Sequence, residues 1–463
     1  MLFNSIQYAF FLPIVFIIYW LLKKNYKVQN ILIVIASYIF YGWWDWRFLL
    51  LIALTSFCSW GSGLLIARNQ RPKLWVVLNV VINLAILFVF KYFNFFVSSF
   101  VSLFGLQEDL ILIKLILPVG ISFYTFQALS YSIDVYRGKI EATKDIVSFF
   151  AYVSFFPQLV AGPIERATNL LPQFQRPRNF SYEDAADGVR RILLGLFKKI
   201  VVADNCARYV NMVWDDYGQY SGSTLVLAAI LFSFQIYGDF SGYSDIAIGS
   251  ARLFGIRLKD NFKMPYFSRS VAELWRRWHI SLNSWFVDYV YIPLGGSRCG
   301  QWRTIVNTFV IFLLSGLWHG ANWTFVTWGA YHALLFVPLI LMGRTKKYCD
   351  TPKLSQILQI VGTFILVTIG WIIFRAQSLN DVVGFISTIV TSDWGVPVKV
   401  AGQKLAILSV ALLVVVEWIF RKRDHGLDIA HFHPILRFAI YYTFVLVILE
   451  FGASSKSFIY FQF

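Results

Sequence analysis

The chain has 463 residues, of which 58% are hydrophobic, 19% aromatic and only 14% charged. Soluble domains carry about 25% charged residues, so this composition excludes an ordinary soluble protein. The apolar runs are continuous rather than alternating, which excludes a transmembrane β-barrel and indicates an all-α polytopic membrane protein. The formal net charge of +16 comes from basic residues in short loops between apolar runs. That arrangement favours cytoplasmic anchors at a lipid bilayer over nucleic-acid binding.

A helix needs about 20 apolar residues to cross the hydrocarbon core. Lys and Arg follow the first and third apolar runs, so we expect the N-terminus outside and the basic loops inside. The runs predict roughly 11 to 13 membrane helices in a single integral membrane domain, residues 1–463. The candidate spans are residues 6–22, 31–44, 48–67, 74–90, 115–133, 146–164, 192–210, 225–238, 304–318, 323–342, 354–374, 405–420 and 438–449.

Two segments in the middle of the chain do not fit simple spans. Residues 165–191 are rich in arginine, although alternation would place them outside, and residues 173–191 resemble an amphipathic cytoplasmic connection. Residues 262–303 are too polar for a span yet hold several tryptophans. Irregular backbone at membrane depth is tolerated only against protein or a water-filled cavity. We therefore expect re-entrant or interfacial segments around a cavity entered from the basic, cytoplasmic side.

One histidine lies inside an uncharged apolar run. His319 occurs in Leu-Trp-His-Gly-Ala-Asn-Trp, and residues 304–343 contain no Asp, Glu, Lys or Arg. An ionisable residue within a membrane segment is a functional candidate by default, and a neutral imidazole exchanges protons at physiological pH. A second candidate, His279, directly follows Trp-Arg-Arg-Trp at 275–278. The two arginines there suit phosphate binding, but an interfacial helix with a tryptophan belt is an equal alternative. For His279, a histidine satisfied inside the helix bundle remains an alternative.

The other motifs carry weaker signals. The two carboxylates of Asp239 and Asp245 suit acid–base work or a cation, but helix capping or pairing with Arg is favoured. Pro-Leu-Gly-Gly at 293–296 predicts a sharp turn. Residues 156–166, broken by two prolines, predict either a cavity-lining loop or a plain span end. His332 suits a hydrogen bond to a neighbouring helix. Three further histidines are interpreted as ordinary loop residues, namely His425, His431 and His433. The four cysteines have no metal-binding spacing, so we expect no metal site.

Together, residues 275–281, 289–296 and 315–329 resemble the membrane-bound O-acyltransferase (MBOAT) family. The branch resembled is that of bacterial alginate O-acetyltransferases and related polysaccharide and peptidoglycan acetylation proteins. Further matches are residues 118–127, 134–138, 239–245 and 458–463, so the resemblance runs from the first span to the last residue. The D-alanyl transfer branch is similar, but its motif after Trp-His differs, and it ranks lower.

The resemblance implies a ring of membrane helices around a thinned centre, with a funnel open to the cytoplasm, in the bacterial inner membrane. It implies that His319 is catalytic and that His279 is a second residue associated with activity. It also implies acetyl-CoA as the acetyl donor, with no permanently bound cofactor. The sequence leaves open whether His319 removes a proton from the acceptor hydroxyl or carries the acetyl group itself.

The donor is rich in phosphate and suits a basic inner face, for which Lys263, Arg269, Arg276 and Arg277 are candidates. Asn322 is a candidate to orient a ring or to donate to an oxyanion. The resemblance implies that the acetyl group passes outward to an extracytoplasmic polysaccharide, often through a partner of the SGNH-hydrolase type. The predicted outer loops are short for gripping a polymer, which also favours a partner.

Two other classes of function compete with this interpretation. A transporter or flippase also has broken helices and polar residues in the membrane, but inverted repeats, which would favour it, are not found in the sequence. A non-catalytic scaffold of an exopolysaccharide machine is the second. It predicts that His319 can be replaced without loss of function.

Overall fold

The computed structural model describes residues 1–68, 71–105, 112–113, 115–160, 162–345, 348–349, 351–399 and 402–452. Within these ranges every regular element is helical, as the composition predicts. The chain forms two compact units. The first comprises Met1–Val189 and Ala247–Lys259, and the second comprises Arg190–Ile246 and Asp260–Phe463. A single integral membrane domain over 1–463 stays a prediction.

The first unit is built from the N-terminal helices. A π-helical turn, Phe88–Tyr92, follows α4 directly. The helices are α1 (Ile6–Leu21), α2 (Tyr26–Gly42), α3 (Phe48–Ala67), α4 (Pro72–Leu87), α5 (Phe93–Phe104), α6 (Ile121–Tyr136), α7 (Ile146–Ser154), α8 (Phe156–Leu159), α9 (Ala167–Phe174) and most of α10 (Tyr182–Leu196).

The second unit holds the remaining helices, with α12 belonging to it as far as Ile246. A π-helical segment, Phe197–Ala203, continues α10 into α11. The α-helices are α11 (Asp204–Asp215), α12 (Gly222–Leu253), α13 (Val271–Leu274), α14 (Ile280–Phe286), α15 (Gly300–His319), α16 (Trp323–Leu341), α17 (Ile357–Arg375), α18 (Leu379–Thr391), α19 (Gln403–Ile419) and α20 (Pro434–Phe451). Shorter helical turns are Tyr217–Gln219, Pro265–Phe267, Val287–Tyr291 and Leu354–Gln356.

The first unit places polar groups inside and apolar groups outside. Asn79 donates to Ser132 Oγ (2.8 Å) and accepts from Asn83 (2.9 Å) and Ser59 (3.2 Å), all buried. On the same helix as Ser59, Leu50 is 68% exposed. Lipid is as apolar as leucine, so helices in a membrane associate through small residues and interhelical hydrogen bonds. The pattern is that of helices surrounded by lipid.

In the described residues, six helical stretches are long and apolar enough to cross a membrane, judged by length and composition. Two shorter helices, Ile6–Leu21 and Leu379–Thr391, are also apolar. This supports a polytopic membrane fold, whereas the number of 11 to 13 membrane helices, their ring arrangement and their orientation stay predictions. The six stretches are Phe48–Ala67, Pro72–Phe104, Gly222–Leu253, Trp323–Leu341, Leu354–Arg375 and Pro434–Phe451.

Two predicted boundaries were wrong, and one expected break was found. The span predicted at 225–238 continues to residue 253 as α12, because its carboxylates are neutralised by ion pairs described below. The span predicted at 115–133 begins only at residue 121, after Gly120, whose φ of +74° is incompatible with a continuing helix. The span predicted at 146–164 ends at Ser154 and breaks before Pro157, which agrees with the expectation of a partial helix.

Candidate functional site

His319 is the last residue of α15, where that helix crosses α16. A Cβ atom built on Gly316 would overlap the carbonyl oxygen of Phe325, and one on Gly329 would overlap that of Phe312. Glycine at both positions therefore lets the two backbones meet directly, as small residues do between membrane helices. The crossing fixes the end of α15 and, with it, the backbone of His319.

The His319 imidazole is enclosed by aromatic rings. Its centroid lies 5.0 Å from Trp318, 5.2 Å from Trp328 and 5.5 Å from Phe374, each in an edge-on arrangement. Only 4% of the residue is exposed. Trp328 also packs on His332, at 4.9 Å. Such packing restricts the orientation of the imidazole and excludes bulk water from most of it.

His279 lies on strained backbone between α13 and α14. Its φ of +47° is in the left-handed region, which residues other than glycine rarely adopt. Two backbone hydrogen bonds connect the turn to the preceding segment. Ile280 N–H donates to the carbonyl oxygen of Asn261 (2.9 Å), and Lys263 N–H donates to that of Arg277 (2.9 Å). Strained backbone persists only where the surroundings determine it, and it concentrates at functional sites.

The two candidate histidines come together in the second unit. Their ring centroids are 6.3 Å apart, although they lie on different elements. The His279 ring also packs edge-on against Phe240 (4.7 Å) and Trp318 (5.7 Å), and at 6.4 Å from Phe262. His279 is 1% exposed. The expectation that both rings approach one place is met, whereas a central funnel entered from the cytoplasm stays a prediction.

Two of the four candidate phosphate-binding cations bind one buried carboxylate. Glu273, 1% exposed, accepts from Arg269 Nε (3.0 Å) and Arg277 Nη2 (3.1 Å). Arg277 is itself buried, and it also donates to the carbonyl oxygens of Lys263 (3.2 Å) and Cys349. The side chain of Lys263 is exposed. Arg277 is thus engaged in holding this segment together, whereas Lys263 faces outward.

Arg276 lines a cavity of about 490 Å³ in the second unit. It is exposed, and its guanidinium donates to the Thr345 carbonyl oxygen (2.5 Å). The wall includes Ile280, which follows His279 directly, and Ser315, one turn before the end of α15. Further polar residues on the wall are Asn283, Ser284, Asp288, Tyr291, Ser297, Thr304 and Thr308. The cavity therefore reaches the elements that carry both histidines.

Asn322 caps the start of α16. Its side-chain oxygen accepts from Thr324 N–H (3.0 Å), and its amide donates to the Gln377 carbonyl oxygen (2.9 Å). Asparagine at this position satisfies one of the helix's unpaired N–H groups. These contacts give Asn322 a capping role three residues after His319, and its suggested part in the chemistry stays a prediction.

Asp245, in the motif with two carboxylates, belongs to a buried ion-pair network. It accepts from Arg191 (3.0 Å) and pairs with Lys198 (3.1 Å). Lys198 also pairs with Glu417 (3.2 Å), which accepts from the Tyr237 hydroxyl (2.5 Å). Buried charges require such partners. The expectation that the motif pairs with Arg within the membrane protein is confirmed, with lysine as a second partner.

Asp239 of the same motif pairs with Lys199 (2.8 Å), which also contacts Asp204 (2.9 Å). Both lysines lie on the π-helical segment Phe197–Ala203. That segment packs closely on α12, because a Cβ on Gly238 would lie 2.9 Å from the Lys198 carbonyl oxygen. The motif therefore serves the packing of α12 rather than a metal site.

Of the two turn motifs, one prediction is confirmed and the other stays open. The predicted sharp turn at 293–296 is confirmed, since Gly295 and Gly296 have φ values of +104° and +58°. Residues 162–165 are buried and irregular, after α8. This geometry fits both interpretations of the 156–166 motif, of which residue 161 lies outside the described ranges. The matching C-terminal residues 458–463 also lie outside them.

Among the remaining histidines, His332 and His425 make hydrogen bonds within the protein. The prediction for His332 is confirmed: its Nδ1 accepts a hydrogen bond from Trp275 Nε1 (3.3 Å). His425 Nδ1 accepts from the Leu427 N–H (3.2 Å), and His433 precedes α20 in the preceding loop. Within the described ranges no group of three metal-ligating side chains is found.

Sequence reasoning missed several residues of the site. Phe374 lies one residue before the end of α17 and Phe240 lies within α12, so both reach the histidines from distant parts of the sequence. Asn261, whose amide meets His279, lies in a segment without any recognisable motif. Only the folded chain brings these side chains to the histidines, and no local pattern marks them.

A model of the membrane-bound O-acyltransferase family matches residues 39–380. That range covers most of the chain and the elements that carry His279 and His319. The chain belongs to the membrane-bound O-acyltransferase family. It is therefore an O-acyltransferase and a multi-pass membrane protein, which confirms the predicted family, class of activity and fold.

Similar proteins indicate which branch of the family the chain resembles. The chain is 42% identical to a probable alginate O-acetylase of Pseudomonas aeruginosa over 388 residues, covering 82% of this chain and 73% of the relative. It is 37% identical to a probable alginate O-acetylase of Pseudomonas putida over 494 aligned positions, covering all of both chains. It is 35% identical to a peptidoglycan O-acetyltransferase of Helicobacter pylori, covering 82% of this chain and 78% of the relative.

Proposed function

We propose that this membrane protein of the bacterial inner membrane takes acetyl groups from cytoplasmic acetyl-CoA and delivers them for O-acetylation of an extracytoplasmic polysaccharide. The observation that carries the proposal is the pair of buried imidazoles of His319 and His279, 6.3 Å apart in an aromatic enclosure. The names of the relatives support a glycan acceptor, either an alginate-like exopolysaccharide or peptidoglycan.

His319 has one of two roles: it removes the proton of the acceptor hydroxyl, or it carries the acetyl group. As a base, a ring nitrogen takes the proton of the acceptor hydroxyl, the oxygen attacks the thioester carbonyl carbon, the carbon–sulfur bond breaks, and the thiolate receives the proton. As a carrier, the nitrogen attacks that carbon and releases the thiolate; the acceptor oxygen then displaces the imidazole, and the hydroxyl proton passes through the imidazole to the thiolate. In both routes the ring gains positive charge. The C-terminal end of α15 favours that charge by about 0.3–1 kcal/mol through the helix dipole.

The cavity of about 490 Å³ is the proposed place of the acetyl donor. It extends from Arg276, exposed on its wall, to a residue next to His279 and to one that lies a helical turn before His319. An arginine suits the phosphates of the donor because its planar fork binds phosphate oxygens bidentately. Lys263 is the second exposed candidate, while Arg269 and Arg277 contribute less charge to a ligand because Glu273 binds both.

Delivery to the polymer is assigned to a partner of the SGNH-hydrolase type on the outer face. The family resemblance supports such a partner. The proposed donor is cytoplasmic and the proposed acceptor is extracytoplasmic, so the acetyl group has to cross the membrane between them. A small group crosses at a thin, enclosed centre more easily than a glycan does. The role of the partner is to bind the glycan and complete the transfer.

The decisive experiment uses liposomes containing the full chain, with labelled acetyl-CoA inside and glycan outside, with and without the partner. Release of the CoA thiol and labelling of the glycan are both measured. We expect His319→Ala to abolish glycan labelling while the protein still inserts and purifies normally. The matched control is His433→Ala, which removes an exposed loop imidazole and should retain full activity.

Each alternative gives a different result. A transporter would move an acetylated compound without releasing the CoA thiol. A scaffold would support glycan acetylation equally well after His319→Ala, and that outcome would refute the enzymatic proposal for this residue. Efficient labelling of the glycan without the partner would refute the partner while leaving the enzyme intact. The same assay, run with either alginate oligosaccharide or peptidoglycan fragment outside, shows which glycan is acetylated.

A further inference from the structure

Asn261 makes a set of hydrogen bonds around the second histidine. This residue is fully buried. Its side-chain oxygen Oδ1 lies 3.3 Å from the Ser281 backbone nitrogen, 2.9 Å from Ser281 Oγ and 3.1 Å from His279 Nδ1. Its amide nitrogen Nδ2 lies 3.2 Å from Ser244 Oγ. Four contacts from three residues thus converge on one amide.

These partners determine which way the amide points. The backbone N–H of Ser281 can only donate, so the atom of Asn261 that faces it must be the oxygen. The Ser244 hydroxyl then receives the amide N–H, for which it has lone pairs available. The orientation of the amide therefore follows from the chemistry of its partners.

The orientation of Asn261 fixes the hydrogen on the imidazole. An oxygen that already accepts from Ser281 makes a favourable contact with His279 Nδ1 only if that nitrogen carries a hydrogen. A neutral imidazole has one N–H, and burial of the ring disfavours the charged form. His279 therefore has its hydrogen on Nδ1 and a lone pair on Nε2. The strained backbone at His279 and the edge-on contact with Phe240 hold the ring in this orientation.

We propose that Asn261 is a positioning residue for the acyl transfer: it holds His279 as the Nδ1–H tautomer, so that Nε2 is the basic atom of the ring in the reaction. The inference rests on the proposed role of His279. It adds a residue that touches neither donor nor acceptor. Its effect on the reaction passes through the tautomer and orientation of one ring.

The direct test is nitrogen NMR of ¹⁵N-histidine-labelled full-length protein in lipid nanodiscs. The His279 signals are identified by their loss in His279→Gln. We expect an Nδ1 that carries hydrogen and an Nε2 that does not. An Nε2–H signature for His279 in the wild-type protein would overturn the proposal immediately, whatever the activity of any variant.

Kinetics of the same protein provide the second readout. Asn261→Leu removes the acceptor, so we expect the tautomer signature to be lost and kcat to fall by at least about 100-fold, as loss of a correctly protonated catalytic group does. The KM for acetyl-CoA should stay within about twofold, because donor binding is untouched. Asn261→Asp keeps an acceptor oxygen, so Nδ1 should stay protonated and kcat should exceed that of the leucine variant.

Two controls separate positioning from folding. Asn307→Leu removes another buried asparagine of the second unit, whose amide donates to backbone carbonyls, and should lower stability without changing the His279 signature. Should Asn261→Leu not fold, Ser244→Ala leaves the acceptor in place and removes only the contact that holds its amide. Ser244→Ala should then weaken the wild-type signature, and an unchanged signature together with unchanged kcat would contradict the proposal.

The proposed function can fail separately. Full activity of His279→Ala would refute a catalytic role for that ring, while the nitrogen signature would still report whether Asn261 sets its tautomer. Conversely, an inactive His279→Ala combined with an Nε2–H wild-type signature would keep the catalytic role and refute the part given to Asn261. The two measurements together therefore assign any failure to one proposal.

Discussion

The crossing of α15 and α16 makes a quantitative prediction for Gly316→Ala. Alanine in place of glycine inside a helix normally stabilises by about 0.5–1 kcal/mol. Here the new Cβ would lie under 3.0 Å from the Phe325 carbonyl oxygen, a separation that real Cβ atoms essentially never show. The obstacle is rigid backbone, so the helices must separate, and overpacking of this kind costs about 1–3 kcal/mol. We expect a net destabilisation of about 1–2 kcal/mol, opposite in sign to the normal effect.

Gly316→Ala should lower the activity by more than its loss of stability alone would cause. His319 follows Gly316 by three residues, so separation of the helices moves its imidazole directly. A misplacement of about 1 Å can lower a rate by about 100-fold, so we expect kcat to fall by about 10- to 100-fold. Stability is measured by thermal unfolding in detergent and activity by release of the CoA thiol. The matched control is Gly362→Ala on α17, where the new Cβ meets nothing within 4 Å. Equal behaviour of the two variants would refute the close-crossing argument.

Two further perturbations test other parts of the second unit. Lys198→Met should destabilise the protein by about 3–5 kcal/mol, because Asp245 and Glu417 lose their shared buried cation. Adding Glu417→Gln should recover part of that loss. A single variant as stable as the wild type would contradict the ion-pair network. Arg276→Gln should raise the KM for acetyl-CoA without changing the unfolding temperature, since this side chain is exposed. An unchanged KM would remove Arg276 from the donor site.

Much of the fold could be predicted from the sequence, because lipid imposes a simple constraint. A chain in hydrocarbon has to satisfy its backbone within helices, so long apolar runs suffice to locate them. α3 and α16 begin where the runs predict. α12 was one exception. Its predicted end preceded Asp239, whereas the helix continues past it because lysines from another segment neutralise its carboxylates. The local sequence of a helix cannot reveal a partner that comes from another segment.

Of the candidate site, only the two histidines could be predicted from the sequence. His319 stands out because it lies in an uncharged, tryptophan-rich run, and His279 because it lies in a segment rich in tryptophan. Both properties are visible in the local sequence. Their enclosure was not visible: Phe374 and Asn261 come from other segments, and their types alone carry no signal. The glycines of the His319 motif were equally unexplained until the α15–α16 crossing showed what a side chain there would strike.

The closeness of the two imidazoles limits how they share protons. Two positive charges 6.3 Å apart at an effective dielectric constant of 20 repel by about 3 kcal/mol. Adding a second proton is therefore about 100-fold less favourable than adding the first. If His319 gains a positive charge during transfer, His279 has to remain neutral, and because Asn261 Oδ1 binds its Nδ1–H the ring assists through Nε2, the nitrogen that lacks hydrogen. The hydrogen bonds of Asn261 leave Nε2 in that state, so the proposed division of work follows from charge and tautomer together: one ring takes the charge, and the other presents a fixed lone pair beside it.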